Sequence, residues 1–577
     1  MSKAIRLHKA GELEAAKNLY ASILGFQPRN PDALHLYGLA CHQLGDHATA
    51  VAYIRQAVDL VPDQPVLRNN LGDALHKSGD LAAAAEHLRE ALALRPDYAG
   101  AHMNLGSVLA DSGDHDAALE HTRESTRLDP GRAEAWFNLG MQLLDHVELE
   151  ESIASFRRAL ALRAAYPAAA NSLLYVLNLL PDADPVEVAD EHRRVASDLF
   201  GNAEIRSNRA DRSEKIRIGY VSGDFCAHAV NYFFEPILEH HDRTKFEIYC
   251  YSDVARPDRV TQRLQSHADH WREISGASDD DVAKLIRSDR IDVLFDLAGY
   301  TEHGRLAVFS RKPAPVQVSC LGYPNTTGLG AMDYRIVDQF TAPADEAMPG
   351  TESLLRLPDA FACFRPPGHA PDVRAAPLEK NGFVTFGSLH KLEKLNATVV
   401  EAWAKILLQN PTARLLIARD QLDAWHQRRL HERFTALDVG PERIEMVHLS
   451  DPAQSFFDVF SRIDVLLDVF PWSGHTIACC ALWMGVPVVT LRGNSHAGRM
   501  VGSVLAGLGL NEWIAADVDA YIRMAGDIGR DPARISELRA SLRNRMEASP
   551  LRDEAGFTRG LESKLVSLLG HGFASSI

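Results

Sequence analysis

The sequence predicts a multidomain chain: an all-α superhelix followed by two doubly wound α/β (Rossmann-like) lobes. Three observations carry this. Small residues recur every 34 positions through the first third of the chain. From Lys215 onward, short apolar runs alternate with helix-patterned segments, and the alternation restarts at Phe383. Between the two alternating regions lies a Pro- and Gly-rich stretch, RPPGHAPDVRAAPLEKNG, suited to a linker. The 577 residues allow about three to five domains at roughly 100–200 residues each.

The repeat is legible in several ladders of step 34: Gly38, Gly72, Gly106 and Gly140; Gly11, Gly45, Gly79 and Gly113; Ala16, Ala50, Ala84 and Ala118; Pro28, Pro62, Pro96 and Pro130. Small residues belong where two antiparallel helices cross closely, and proline stops the second helix. This period and residue order is the tetratricopeptide pattern. About four full repeats run from residue 30 to 163, with a partial one before them, and the superhelix is expected over 1–180. Residues 181–213 read as a helical, polar linker. Asn70, Asn104 and Asn138 form a further ladder, on the helix that lines the concave groove of such solenoids. Asparagine offers both a donor and an acceptor. The column therefore suits either a clamp on an extended acceptor peptide or hydrogen bonding between helices.

In the first α/β lobe, expected over 214–376, IRIGYVSGDF, KFEIYCYSD and DVLFDLAGY read as strands, and VQVSCLGYP and YRIVDQ continue the series. In the second lobe, expected over 377–577, FVTFGSL, ARLLIAR, RIEMVHL, DVLLDV and PVVTLRG read as strands. NATVVEAWAKILLQN and SGHTIACCALWMG read as helices, and a final helical segment at 533–569 is expected to pack back across both lobes. Strand–helix alternation implies parallel sheets. Twin lobes of this kind bind ligands in the cleft at the carboxyl ends of their strands. Neither lobe opens with G-x-G-x-x-G and no Walker A text is present, which disfavours nicotinamide and P-loop chemistry.

A net charge of −16 argues against nucleic acid or an anionic membrane as the main partner. Seven cysteines without a C-x-x-C pair read as reduced thiols, not as a disulfide frame or a zinc site. The N-terminal text MSKAIRLHKAGELEAAK has no apolar core of a signal peptide, and a cytoplasmic protein is expected. The oligomeric state is left open.

Three texts are candidates for chemistry. In DVFPWSGHTIACCALWMG (468–485) a strand ends in a turn, and Ser473, Gly474, His475 and Thr476 stand at the start of a helix. Free N–H groups and the positive dipole end favour a diphosphate there; an ordinary turn capped by Ser473 is the alternative. In FGSLHKLEKLNATVVEAW (386–403), His390, Lys391 and Lys394 follow a strand, and a lysine there can neutralise a departing diphosphate. In VSGDFCAHAVNYFFEP (221–236), His228 follows a strand of the other lobe and could act as a base or orient a hydroxyl. LGYPNTTGLGAMDYRIVDQ (321–339), with Pro324, could line the same pocket. Asp279–Asp281 begins a helix, and no metal site is assigned.

These texts, downstream of a 34-residue repeat with an asparagine ladder, resemble the protein O-GlcNAc transferases (glycosyltransferase family 41). The most specific pieces are KPAPVQVSCLGYPNTTG with MDYRIVDQ, the SGHT helix start with LWMGVPVVTL, and SPL at 549–551. The resemblance implies a GT-B unit and transfer from UDP-GlcNAc to Ser or Thr hydroxyls with inversion and no metal or other cofactor. Acceptor peptides would be guided by the repeat superhelix. By position it implies that Lys394 contacts the donor diphosphate, with Lys391 beside it. His475 and Thr476 would lie on the diphosphate and uridine side, and His228 near the reacting centre. Asp289 matches an aspartate that has been argued to serve as base, and the base is left unassigned. Two departures bear on the donor. Cys480 stands where animal members carry an acidic residue against the ribose, and LSDPAQSFF lacks the lysine expected near the uracil. They leave room for another donor sugar, or for a repeat scaffold with an inactive or nucleotide-sensing GT-B unit.

Overall fold

The computed structural model describes residues 1–201, 214–449 and 456–574. The polar end of the expected linker (202–213) and the middle of LSDPAQSFF (450–455) lie outside the described residues. The chain divides into two compact units, Met1–Ala164 and Ala165–Ile577.

The first unit consists of antiparallel helix pairs that follow the 34-residue step: Ser2–Lys9 with Leu13–Phe26, Pro31–Gln43 with His47–Leu60, Pro65–Lys77 with Leu81–Leu94, Ala99–Asp111 with His115–Leu128, and Ala133–Asp145 with Leu149–Leu162. The first glycine ladder sits at the crossings: a Cβ on Gly38, Gly72, Gly106 or Gly140 would lie 2.6, 2.6, 2.3 or 2.6 Å from a side chain of the paired helix. The second ladder makes the turns, with φ of +85°, +88° and +81° at Gly45, Gly79 and Gly113, a conformation that only glycine adopts freely. The next residue then caps the second helix: Asp46, Asp80 and Asp114 accept from Thr49, Ala83 and Ala117 N–H. In the last pair Val147 holds that turn at φ +61°, and Glu148 gives no side-chain cap.

The second unit starts earlier than the sequence pattern suggests. The helix Pro167–Leu177, expected to close the superhelix, belongs to it. So does Pro185–Phe200, the described part of the expected linker. The cause is side-chain chemistry invisible to a repeat count. Tyr175 Oη donates to Glu393 (2.9 Å), Asn178 Nδ2 to Tyr323 Oη (3.0 Å), and the buried His192 Nε2 lies 2.6 Å from the same phenol.

Two all-parallel sheets follow. The first contains β1 (Ile216–Ser222), β2 (Phe246–Ser252), β3 (His270–Glu273), β4 (Val293–Asp296), β5 (Val316–Ser319), β6 (Tyr334–Asp338) and β7 (Ser353–Leu357), in the order β3-β2-β1-β4-β5-β6-β7. The second contains β8 (Thr385–Ser388), β9 (Arg414–Arg419), β10 (Ile444–His448), β11 (Val465–Leu467), β12 (Val488–Leu491) and β13 (Ile514–Ala515), in the order β10-β9-β8-β11-β12-β13. Strands such as VLFD and VLL are buried along their whole length, as expected when helices cover both faces. One apolar core runs through both lobes, from Ile218 to Leu565. The last helix, Glu554–Ala574, returns to the first lobe, where Glu562 Oε1 accepts from Asp242 N–H and lies 2.9 Å from the buried His241 Nδ1. In each sheet the strand order reverses once, between β1 and β4 and between β8 and β11. These switch points are where open α/β sheets leave a crevice.

Candidate active site

The loops after β1, β5, β8 and β11 meet around a cavity of about 500 Å³. Of the residues singled out in the sequence, His228, Pro324, His390, Lys391, Lys394, Ser473, Gly474, His475 and Thr476 all line it. Leu321, Phe361, Arg419, Trp472 and Met500 also line it, and among the described residues no carboxylate does.

On the second-lobe side the polar groups are fixed by one another. The buried Asp468 follows β11 and is the hub. Its Oδ1 accepts from Gly474 N–H (2.8 Å) and its Oδ2 from Thr490 Oγ1 (2.6 Å). His390 Nε2 lies 3.2 Å from Asp468 Oδ1, at an angle that leaves the nitrogen without a hydrogen bond, so this pairing is electrostatic. His390 Nδ1 is 2.9 Å from Ser388 Oγ. Burial holds the His390 imidazole below its ordinary pKa, against the pull of Asp468. Gly474 is required by contact: a Cβ there would sit 2.1 Å from His390 Nε2.

Gly474 is the N-cap of the helix His475–Trp483, and no side chain caps that helix. The Ser473 hydroxyl turns inward and donates to Ala497 O (2.7 Å), so it does not serve as the cap. The amides at the start of this helix have no partner of their own within it. Lys394 ends the short 3-10 turn Leu392–Lys394. Its Nζ donates to Trp472 O (3.3 Å) and lies 4.4 Å from the centre of the Trp472 ring. Desolvation pulls this ammonium down to about 8, opposed by Asp468 and Glu393. Although Lys394 is only half-buried, the Trp472 ring displaces water from its head. The exposed Lys391 Nζ lies 3.7 Å from Glu393 Oε1 and 5.3 Å from the centre of the Tyr175 ring.

The first-lobe side is built differently. His475 reaches across to the first lobe, with its ring centre 4.7 Å from Phe233 and 4.8 Å from Phe361. Burial among them lowers its pKa to about 4, so the ring is neutral. The His228 side chain is 51% exposed, with Nδ1 3.8 Å from Asp224 Oδ2. Leu321 holds φ +66°, a strained value for a leucine, at the turn that brings Gly322 and Pro324 to the cavity wall.

Two sequence-predicted groups lie elsewhere. Asp289 ends the helix Asp279–Asp289, ahead of β4. It is thus at the amino end of that strand, whereas the cavity is at the carboxyl ends. Its carboxylate is taken by Arg272 (3.0 and 3.1 Å) and Tyr251 Oη (2.9 Å). The asparagine ladder lies in the first unit, where Asn70 Nδ2 pairs with His35 Nε2 (2.8 Å), and the Nδ2 groups of Asn104 and Asn138 donate to Asn69 Oδ1 and Ser107 Oγ (both 3.1 Å). Each amide spends one donor on the preceding repeat, which is the bonding between helices considered above. Sequence reasoning missed Asp468, Arg419, Trp472 and Tyr175. For Asp468 a signal existed: an acid directly after a buried strand and before a proline- and glycine-containing turn.

The model of "Glycosyl transferase family 41" matches residues 200–364 and 377–561, more than half of the chain, and tetratricopeptide models match 2–65, 72–113 and 111–170. A mutant of the O-GlcNAc transferase of Thermobaculum terrenum superposes with a TM-score of 0.75 at 35% identity, covering 86% of this chain and 96% of that one. The probable UDP-N-acetylglucosamine–peptide N-acetylglucosaminyltransferases SPINDLY and SEC of Arabidopsis thaliana are 38% and 30% identical over 362 residues each, 62% and 60% of this chain. The chain spans 40% and 36% of the length of those two relatives.

Proposed function

We propose that this chain, which belongs to glycosyl transferase family 41, moves N-acetylglucosamine from UDP-GlcNAc to serine or threonine hydroxyls of proteins, inverting at the anomeric carbon and without a metal ion. The observation that carries the reading is the convergence of Lys394 Nζ and the uncapped start of the His475–Trp483 helix on one cavity. As the bond from the anomeric carbon to the diphosphate breaks, its electron pair leaves with UDP. Lys394 and the free amides face the place where that negative charge grows, which is where fixed donors lower a barrier most. Lys391, Lys394 and Arg419 supply positive charge around a cavity that no carboxylate of the described residues lines, and this supports catalysis without a divalent ion. The acceptor oxygen forms its new bond on the opposite face of the sugar and gives up its proton on the first-lobe side. Of the two side chains considered for that proton, His228 lines the cavity and Asp289 does not. The repeat unit would recruit the protein acceptors along its groove, and the cytoplasm would be the site of action; among the described residues no helix is long and apolar enough to cross a membrane.

The test is transfer of label from UDP-GlcNAc to protein acceptors by wild type and Lys394→Ala. Turnover by the wild type that falls about 10²–10³-fold in the folded variant supports the reading; undiminished turnover in the variant removes Lys394 from its role.

One observation favours a second donor. Cys480, at the position where the resemblance puts an acidic residue against the ribose, is fully buried and offers no anion to a sugar hydroxyl. A panel of nucleotide sugars run in the same assay separates the two readings. Turnover of any of them onto a protein rules out a purely scaffolding role.

A further inference from the structure

A smaller pocket, of about 40 Å³, lies in the second unit beside the loop between the Pro167–Leu177 and Pro185–Phe200 helices. It shares no lining residue with the donor cavity. Its polar lining is Asn178, Asn325, Arg335, Asn494, Ser495 and His496.

Arg335 comes from β6 and is 4% exposed. Its Nε is buried without a hydrogen-bond partner. Among the described residues the guanidinium forms no ion pair, and no Asp or Glu lines the pocket. The acid whose charge acts on it, Glu352, lends it no hydrogen bond: that carboxylate accepts from the hydroxyls of Thr326 and Thr327 and from Thr327 N–H. A guanidinium carries five donors and stays charged in proteins. Buried charges persist where something of opposite sign meets them. A second, independent group points the same way: His496 is 5% exposed and its Nδ1 is buried without a partner. The 12-residue helix His496–Gly507 starts at this wall, where Ser495 Oγ caps the Gly498 N–H and leaves the other amides of the first turn, so its positive end adds to the potential. The volume holds about three waters, which matches one carboxylate group, and the planar fork of arginine fits that group in a bidentate way.

We propose that this pocket is a carboxylate-binding site anchored by Arg335, with His496 Nδ1 and the start of the His496–Gly507 helix as further contacts. The carboxylate could be that of a small free acid or of an Asp or Glu side chain on a bound polypeptide.

The test uses the full chain and thermal unfolding at constant ionic strength. Acetate at about 100 mM should raise the Tm of the wild type by about 2 °C, the isosteric neutral acetamide should not, and acetate should not shift Arg335→Met. A blocked Gly-Glu-Gly tripeptide acting at tenfold lower concentration than acetate, with the Gln analogue inert, assigns the site to polypeptide carboxylates; equal molar effects of acetate and the Glu peptide assign it to free acids. Equal responses to acetate and acetamide, or an undiminished acetate effect in folded Arg335→Met, overturn the proposal. If the variant does not fold, the acetate–acetamide pair on the wild type still decides.

Discussion

The two walls of the cleft are built on opposite principles. On the second-lobe wall Asp468, His390 and Ser473 are between 0 and 2% exposed, and each is held by at least one other polar group of the same wall. On the first-lobe wall the imidazole of His228 is half in solvent, and the rest is largely aromatic and aliphatic surface such as Tyr232, Phe233 and Phe361. The difference suggests a division of labour. A diphosphate is the same in every turnover and can be met by a rigid, pre-arranged set of donors. An acceptor varies, and on the proposed reading the first-lobe wall would meet it with a polar group left free for the acceptor to complete.

That contrast can be broken most sharply at His228. His228→Ala should lower kcat by about 10²–10⁴ while leaving the dissociation constant of UDP within about twofold; an unchanged kcat would move the acceptor's proton to another group, such as the donor phosphate. On the opposite wall, Gly474→Ala should act through binding. Its Cβ would meet His390 Nε2 at 2.1 Å and Asp468 Oδ1 at 3.3 Å, a clash that costs about 1–3 kcal/mol of stability and tilts the helix start. Calorimetry should show UDP binding weakened by about tenfold, with the residual kcat less affected than in His228→Ala.

A smaller effect follows from charge. The free-protein pKa of Lys394 is depressed to about 8 by desolvation, and a bound diphosphate favours the ammonium, so the complex holds the proton to higher pH. Binding therefore takes up a proton above about pH 8, and affinity for UDP-GlcNAc should be level below that pH and fall by up to about tenfold per unit as pH rises through it. Lys394→Ala should flatten the profile; a pH-independent wild type would contradict the assignment. The smallest effect belongs to the repeats. Val147 occupies at φ +61° the turn position that glycine fills in the preceding pairs, so Val147→Gly should stabilise the first unit by about 1 kcal/mol, read from its denaturant midpoint.

How much of this was legible in the sequence differs by element for physical reasons. The repeats were legible because helix crossings and turns impose the same steric demand every 34 residues. The inner strands of both sheets were legible because parallel strands buried on both faces are near-continuous apolar runs, whereas the edge strands β3, β7 and β13 are short or part-exposed and were not read. The texts around His390, Lys394 and Ser473–Thr476 could be placed because a residue directly after a strand lands at the cleft. The same rule, applied to Asp289, places it at the wrong end of β4, since it precedes that strand. Tyr175 and the two helices before β1 were assigned to the superhelix and linker because periodicity says nothing about a phenol reaching Glu393. Arg419 depends on strand order, with β9 beside β8, and a single sequence does not encode that order in any local pattern, whereas Asp468 carries a local signal that went unread, an acid directly after a buried strand.

The central claim is that Lys394 and the helix start at His475 hold the donor diphosphate. Calorimetric titration of UDP and UDP-GlcNAc into the wild type and Lys394→Ala tests it most directly. Binding of both ligands in the micromolar range, weakened at least tenfold in the variant, is the predicted result. No binding of either ligand to the folded wild type, or equal affinity in the two proteins, would contradict it.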